Sequence, residues 1–212
     1  MEIQKFTCNP YSENTYILFD ESKECVIIDP GMYTSEEQNA VVNFINANSL
    51  TPVQLLNTHA HIDHVLGNKF VFDNWGLKPK MHIDELPYLH AVASYAPQMG
   101  IRYELSPDPE QFLGTTGTIQ FGESELELIF VPGHSAAHLC FYSEKDQFLI
   151  GGDVLFYESI GRTDLPGGNH DQLLSSIRTM LWPLPDTCVV YPGHGGPTSI
   201  GHEKQFNPWL QD

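Results

Sequence analysis

Short apolar runs separated by polar turns fill the first part of the chain and predict strands. β-branched and aromatic residues occupy positions 14–19 and 25–28, which is typical of two short strands joined by a turn. The Asp-Pro-Gly sequence at residues 29–31 ends the second strand, because proline and glycine interrupt regular structure. Behind a capping residue, Ser35, apolar residues recur at helical spacing up to about position 48, which predicts a helix.

The same alternation of strand-like and helical patterns continues along the chain. Residues 53–57 predict a strand, and the apolar spacing after it predicts a helix that ends near Gly76. The second half predicts a helix over residues 172–182 and five strands, at residues 118–121, 126–131, 139–142, 148–150 and 188–191. Two sheets flanked by helices, a four-layer αββα sandwich of the α/β class, best accommodate this order.

Residues 84–113 interrupt the pattern. Asp84 is placed to cap an apolar and aromatic segment that ends at residues 96–100, and an acidic loop with prolines follows it. Two interpretations are open for this segment: a helical insertion that covers a site as a lid, or a surface helix.

The composition is that of an ordinary globular protein, with 41% hydrophobic and 17% charged residues among 212. This length suits one sizeable core, and we expect residues 1–212 to form a single domain. No apolar run approaches the ~20 residues of a membrane helix, and the first residues lack the pattern of a signal peptide. Four scattered cysteines without a Cys-x-x-Cys pair fit reduced thiols, so we expect a cytoplasmic protein.

The net charge narrows the range of partners. Ten Lys and Arg residues stand against 27 Asp and Glu residues, which gives a formal net charge of −17. Affinity for nucleic acids and for anionic membranes comes from clustered basic residues. We therefore expect neither a nucleic acid nor a membrane as partner, while the sequence leaves the oligomeric state open.

The strongest chemical signal directly follows the strand at residues 53–57. Four potential metal ligands lie within six residues there: His59, His61, Asp63 and His64. Neutral imidazoles and carboxylates suit Zn²⁺ or Fe²⁺ far better than Ca²⁺ or Mg²⁺. Burying four such groups together without a metal costs several kcal/mol, so a metal site is the preferred interpretation.

Three further candidate ligands, His134, Asp153 and His194, each lie in a glycine-flanked turn after an apolar strand. Seven ligands exceed the needs of one four-coordinate ion, so the sequence predicts two neighbouring metal ions that share one carboxylate. His138 has two interpretations, a strand-end packing residue, which we favour, or a hydrogen-bonding partner of a ligand. Four other histidines are expected to be ordinary surface or capping residues: His82, His90, His170 and His202.

Together these motifs resemble the metallo-β-lactamase superfamily. The resemblance rests on the Thr-His-x-His-x-Asp-His pattern at residues 58–64, the three downstream turns and the Ile-Asp-Pro-Gly strand end at residues 28–31. It implies the αββα sandwich and a ligand assignment: His59, His61 and His134 for the first metal, Asp63, His64 and His194 for the second, and Asp153 as the bridge. Class B β-lactamases usually have Cys at the bridging position, so the resemblance does not imply antibiotic hydrolysis.

Within the superfamily the chain is most similar to glyoxalase II-like hydrolases, through residues 131–134 (Val-Pro-Gly-His) and 152–156 (Gly-Asp-Val-Leu-Phe). Only 18 residues follow His194, which matches a short form without the C-terminal helical domain. The resemblance implies a dinuclear hydrolase that cleaves a thioester such as S-lactoylglutathione with a metal-bridging hydroxide, whose proton Asp63 orients or accepts. Zinc is the expected metal, with iron or manganese as alternatives.

Arg162 lies in the glycine-rich loop at residues 161–168. It is the candidate binder of an anionic substrate group, because a guanidinium can pair with a carboxylate through two hydrogen bonds. A solvated loop arginine is the alternative interpretation. The Gly-Arg-Thr-Asp part of this loop is also similar to persulfide dioxygenases of the same fold, which use one iron, and a mononuclear-iron dioxygenase is therefore the alternative function.

Overall fold

The computed structural model describes residues 1–211, and the chain divides into two compact units. The first unit contains Met1–Leu113 and Gln120–Glu125, and the second contains Gly114–Ile119 and the chain from Leu126 onward. The single domain expected from the sequence stays a prediction.

The first unit is built on a five-stranded mixed sheet in the order β1-β2-β3-β4-β5. Its strands are β1 (Glu2–Cys8), β2 (Glu13–Phe19), β3 (Glu24–Ile28), β4 (Thr51–Leu56) and β5 (Pro79–Lys80). β1, β2 and β3 pair antiparallel, whereas β3, β4 and β5 pair parallel. Because β3 and β4 are parallel, their carboxyl ends meet at one edge of the sheet, and Asp29 lies there beside Thr58.

The strands predicted in this unit are confirmed, each within two residues. The sequence pattern does not predict β1, which alternates between half-buried and exposed positions. β1 pairs with β2 over its whole length, so the hydrogen bonds to a strong neighbouring strand decide its conformation.

The helices of the first unit are α1 (Ser35–Ala47), α2 (Ile62–Val65), α3 (Asn68–Trp75) and α4 (Leu86–Tyr95). The expected cap of α1 is wrong by one residue, because Thr34 accepts the N–H of Glu37 and Glu37 reaches back to Thr34 in a capping box. The helix predicted to end near Gly76 is divided into α2 and α3. Gly76 itself ends α3 in a left-handed conformation with φ of 70°.

Residues 84–113 contain α4 between two short 3₁₀ helices, Ile83–Glu85 and Ala96–Met99. The expected cap at Asp84 is wrong: the side chain of His82 caps this segment by accepting the N–H of Asp84. The buried apolar face of the segment packs with α2 in one core cluster, formed by Ala60, Ile62, Val65, Leu66, Met81, Leu89, Val92, Ala96 and Ile101. The segment therefore covers the part of the chain that carries the first histidines, and its role as a lid stays a prediction.

The second unit contains most of a six-stranded mixed sheet in the order β13-β12-β9-β8-β7-β6, with a separate hairpin of β10 and β11, whereas residues 120–121 of β6 and 124–125 of β7 belong to the first unit. The strands are β6 (Thr118–Phe121), β7 (Ser124–Phe130), β8 (Leu139–Ser143), β9 (Phe148–Gly152), β10 (Leu155–Phe156), β11 (Ser159–Ile160), β12 (Val189–Pro192) and β13 (Thr198–Ser199). β9 and β12 are parallel neighbours. The turns that follow them, with Asp153 and His194, therefore leave the same edge of the sheet.

The five strands predicted in the second half are confirmed, each within two residues. The helix predicted over residues 172–182 is confirmed as α5 (His170–Ser176) followed by a π-helical turn (Ile177–Leu181). The last helix, α6 (Ile200–Phe206), is not predicted by the sequence pattern. None of the helices among residues 1–211 is long and apolar enough to cross a membrane.

Candidate metal centre

The turn after β4 carries four candidate ligands, His59, His61, Asp63 and His64, here called the first cluster. Extended chain carries the first two, and α2, which begins at Ile62, carries the last two. His59 and His64 are fully buried, whereas His61 and Asp63 are partly exposed. The turn from strand to helix reverses the chain, so residues that are close in sequence approach one another with their side chains.

The side chains of the first cluster converge. Nε2 of His59 is 3.0 Å from Nδ1 of His61, and the ring centroids of His59 and His64 are 4.2 Å apart. On the other side of His64, its Nε2 lies 3.7 Å from Oδ2 of Asp63. All four residues assigned to this region by the sequence are therefore brought together within the first unit.

Asp29 orients two of these rings. Its Oδ1 accepts the N–H of Thr58 at 2.7 Å and its Oδ2 accepts the Thr58 hydroxyl at 2.6 Å. Oδ2 also lies 3.1 Å from Nδ1 of His64, and because a carboxylate only accepts, Nδ1 carries the proton and Nε2 the lone pair. The Thr58 oxygen in turn accepts Nδ1–H of His59, 3.0 Å away, so His59 also presents Nε2.

From the sequence Asp29 is expected only as a strand end, so its role in orienting the cluster is missed. Its φ of 47° lies in the left-handed region, which Asp tolerates better than most residues. Glu13 is missed as well. It is fully buried in β2, its Oε2 accepts the Thr15 hydroxyl at 3.0 Å, and burial raises its pKa well above the usual range. The only sequence signal for these acids is a carboxylate inside or directly after an apolar run.

Three strand ends of the second unit carry His134, Asp153 and His194, here called the second cluster. These turns follow β7, β9 and β12. Oδ2 of Asp153 lies 3.7 Å from Nε2 of His134 and 3.5 Å from Nε2 of His194. One carboxylate oxygen therefore faces two imidazole nitrogens.

The loop at Gly161 fixes the His134 ring. Nδ1 of His134 donates to the carbonyl oxygen of Arg162 at 2.8 Å, so Nε2 carries the lone pair. A Cβ at Gly161 would lie 2.0 Å from the carbonyl oxygen of Asp153 and 3.0 Å from Nδ1 of His134. Glycine is therefore required for the loop to approach both residues.

His138 positions Asp153. The fully buried His138 side chain accepts the backbone N–H of Asp153 on Nε2 at 3.1 Å. The favoured interpretation of His138 as a strand-end packing residue is therefore incomplete, and the alternative, a hydrogen-bonding contact to a candidate ligand, describes it better. Its spacing of four residues from His134 is the only sequence signal for this role.

Arg162 points its guanidinium at a neighbour in its own loop. Nε and Nη2 donate to the two carboxylate oxygens of Asp164 at 2.7 and 2.8 Å. This pairing lowers the pKa of the exposed Asp164 to about 2. The paired guanidinium occupies the fork that a substrate carboxylate would use, so substrate binding by Arg162 stays a prediction that requires Asp164 to give way.

Other histidines have partners of different kinds. His90 pairs with Asp108 at 2.7 Å on the exposed surface of the first unit. In the second unit, His202 pairs with Glu158 at 3.2 Å and stacks on Tyr157. These contacts are those of ordinary surface histidines.

The donor atoms in each cluster fit a transition metal. Neighbouring donors lie between 3.0 and 3.7 Å from one another. Two ligands about 2.0–2.1 Å from a tetrahedral ion are separated by roughly 3.4 Å. Imidazole nitrogen and carboxylate oxygen suit both zinc and iron. Each unit therefore contributes a histidine and aspartate cluster of the metal-binding type.

The chain belongs to the metallo-β-lactamase superfamily. The model of that superfamily matches residues 8–194, a range that includes every candidate ligand. A solved structure, that of the BLEG-1 B3 metallo-β-lactamase, superposes on the whole chain with a TM-score of 0.90, at 34% identity and with 100% of both chains covered. The predicted fold class, an α/β sandwich of the metallo-β-lactamase type, is thereby confirmed.

Particular relatives are similar over nearly the whole length. The probable metallo-hydrolase YqgX of Bacillus subtilis is 34% identical over 99% of this chain and 98% of its own. Hydroxyacylglutathione hydrolase GloC of Haemophilus influenzae is 34% identical over 99% of this chain and 98% of its own. Among solved structures, TTHA1623 in a di-iron-bound form has a TM-score of 0.87 and 32% identity, covering 98% of this chain and 100% of that one.

Proposed function

We propose that this protein is a metal-dependent hydrolase of the glyoxalase II-like type, a dinuclear enzyme that cleaves a small anionic thioester. The observation that carries the proposal is the set of hydrogen bonds that hold three histidine rings at Nδ1. In His59, His64 and His134 a hydrogen bond at Nδ1 leaves the lone pair on Nε2. Rings held in this way are pre-organised as metal ligands.

The proposed centre uses both clusters. In this proposal His59, His61 and His134 would hold one ion, Asp63, His64 and His194 would hold the other, and Asp153 would be shared by both. The superfamily match, which spans all seven residues, supports this assignment. Zinc is the first candidate metal, the di-iron form of the related TTHA1623 supports iron as the second, and manganese suits the carboxylates as well.

When bound, the two ions would lower the pKa of a shared water toward ~7 and polarise the substrate carbonyl. Asp63, whose side chain is 14% exposed, would orient that water through a carboxylate oxygen and accept its proton. Asp29 would keep His64 in the ligating tautomer. A thiolate leaves readily because a free thiol has a pKa of about 8.5, so a thioester needs no general acid from the chain.

The proposed substrate is a small molecule rather than a polymer or a membrane. The name of the GloC relative supports S-lactoylglutathione as the first compound to test. The 27 acidic residues outnumber the ten basic residues, which disfavours nucleic acid and anionic lipid as partners.

The proposed location is the cytoplasm. The four cysteines are free and buried, which supports it: Cys8, Cys25, Cys140 and Cys188.

Metal analysis and a thioester panel test the proposal together. The purified protein is expected to hold two metal ions per chain and to hydrolyse S-lactoylglutathione. Asp153→Asn is expected to lower metal content and kcat together, because an amide cannot supply the second anionic oxygen. Asp171→Asn, on the exposed first turn of α5, is the control and is expected to leave both unchanged. A fully metal-loaded protein that hydrolyses no thioester would contradict the proposal.

Two other activities are distinguished by the same preparation. In a mononuclear-iron persulfide dioxygenase, the alternative suggested by the loop at residues 161–164, the iron-loaded protein would consume O₂ with glutathione persulfide. His194→Ala would then leave the iron content unchanged, whereas in the dinuclear hydrolase it lowers metal content and thioesterase activity together. The similarity to BLEG-1 makes β-lactam hydrolysis a further activity to test. The colour change of a chromogenic cephalosporin measures it.

A further inference from the structure

Glu85 is a buried carboxylate that the proposed reaction does not use. It ends the 3₁₀ helix Ile83–Glu85, at the start of the segment that interrupts the sandwich pattern, and its side chain has no exposure to solvent. Its Oε2 accepts the backbone N–H of Ala60 at 2.9 Å. Ala60 is the residue between His59 and His61, so this hydrogen bond holds the peptide group that directly follows His59, between the two candidate ligands.

The surroundings of Glu85 reinforce this contact. Ala60 belongs to the core cluster that α2 shares with α4, in which Leu89 and Val92 are buried. The segment therefore reaches the chain that carries the first cluster in two ways, through apolar packing and through the hydrogen bond of Glu85.

We propose that Glu85 is a positioning residue for His59 and His61, an inference that rests on the proposed metal centre. The segment at residues 83–99 supports the turn that carries these two residues. The hydrogen bond to Ala60 fixes the rotation of one peptide group. Both flanking imidazoles move with that peptide, and their facing nitrogens are only 3.0 Å apart.

Two substitutions test the hydrogen bond itself. Glutamine at this position would keep an acceptor for the Ala60 N–H. Alanine would lose the acceptor and leave a buried N–H without its partner.

The test measures metal affinity directly, by competition of zinc between the protein and a chromophoric chelator. Glu85→Ala is expected to weaken zinc binding about 100-fold, within the range for residues that orient metal ligands, and Glu85→Gln, which keeps an acceptor, by less than about 10-fold. The d–d absorption of the Co²⁺ form is expected to shift in Glu85→Ala, because the ligand geometry changes. Thermal unfolding of the metal-free proteins separates this effect from a general loss of stability.

Two control variants complete the design. Glu203→Ala removes an equally buried carboxylate that accepts the backbone N–H of Glu158, and Asp84→Asn changes an exposed carboxylate beside Glu85. Both are expected to bind zinc within about twofold of the wild type, a difference of about 0.4 kcal/mol.

The outcomes separate the inference from the proposed function. A wild-type chain that binds no metal would overturn the proposed centre itself. A wild-type chain that binds zinc, with Glu85→Ala equal to it in affinity and in Co²⁺ spectrum, would overturn the positioning role. If Glu85→Ala does not fold, Glu85→Met, which fills a similar volume without the acceptor, decides the question.

Discussion

The two candidate ligand clusters are supported by different kinds of groups. The first cluster lies on one strand-to-helix turn and is held by side-chain carboxylates from elsewhere in its unit, Asp29 and Glu85. The second cluster comes from three separate strand ends. There the carbonyl of Arg162 and the backbone N–H of Asp153, bonded to His138, provide the support.

This difference follows from the local backbone. A turn has few ladder hydrogen bonds of its own, so buried acceptors must reach it from other elements to satisfy its N–H groups. Strand ends are already fixed by the sheet, and a glycine loop can approach them closely. The first cluster should therefore be most sensitive to the loss of a carboxylate, and the second to added volume or to the loss of one hydrogen bond.

The largest effect is expected from Asp29→Ala. The variant removes the acceptor of the Thr58 N–H and hydroxyl and of the His64 Nδ1–H, all buried. We expect it to lower the free energy of unfolding by about 3–5 kcal/mol, since each unsatisfied buried group costs about 1–3 kcal/mol. Urea unfolding measures the loss. Asp20→Ala removes a carboxylate that also accepts several hydrogen bonds, but near the surface, and equal losses in the two variants would contradict the comparison.

Gly161→Ala tests the sensitivity of the second cluster to volume. Its Cβ would meet the Asp153 carbonyl oxygen at 2.0 Å, and the backbone must shift. We expect a loss of about 3 kcal/mol, measured by thermal unfolding, and a reduced metal content. Gly196→Ala is the matched control, because a Cβ there meets no atom within 4 Å. Similar melting temperatures for the two variants would show that the loop does not need glycine.

His138→Phe removes a single hydrogen bond beneath the second cluster while keeping an aromatic ring of similar size. The N–H of Asp153 would lose its acceptor on Nε2, and we expect a loss of about 1–2 kcal/mol in unfolding free energy. His138→Gln, which can restore an acceptor, is expected to recover part of this loss. If the His138→Phe variant were as stable as the wild type, packing alone would account for the contribution of His138.

Arg162→Ala should have the smallest effect on the fold, because His134 contacts the backbone carbonyl of Arg162 and not its guanidinium. Metal content is expected to stay unchanged. Losing the guanidinium should raise the pKa of Asp164 from about 2 toward its ordinary value of 3.8, which an NMR titration measures. In the wild type this depressed pKa favours the folded state above about pH 3.8 and the contribution disappears as the pH falls through about 2.

Substitutions at Arg162 also test whether its side chain binds a substrate carboxylate. If Arg162 binds a substrate carboxylate, Arg162→Lys is expected to lower kcat/KM about tenfold, since Lys cannot form the two parallel hydrogen bonds. Unchanged kcat/KM in Arg162→Ala would instead identify a loop arginine whose partner is Asp164.

The sequence by itself determined most of the order of strands and helices and the identity of the candidate ligands. Apolar runs predict β12 and the strands from β2 to β9, except the two-residue strand β5. A buried strand needs a continuous apolar face, and these runs supply it. The contiguous His59–His64 motif identifies the first cluster without any tertiary information. The three later candidate ligands are recognisable because glycine precedes each of them directly after a strand.

The tertiary structure alone decided which residues support those candidate ligands. Asp29, Glu85 and His138 reach the clusters only after β3 pairs with β4, α4 packs on α2, and β8 pairs with β9. A lone acid or histidine beside an apolar run has no sequence signature of its contacts, because its hydrogen-bond partners are distant in sequence. β1 and α6 escape prediction for the same reason: neighbouring elements, rather than local periodicity, stabilise them.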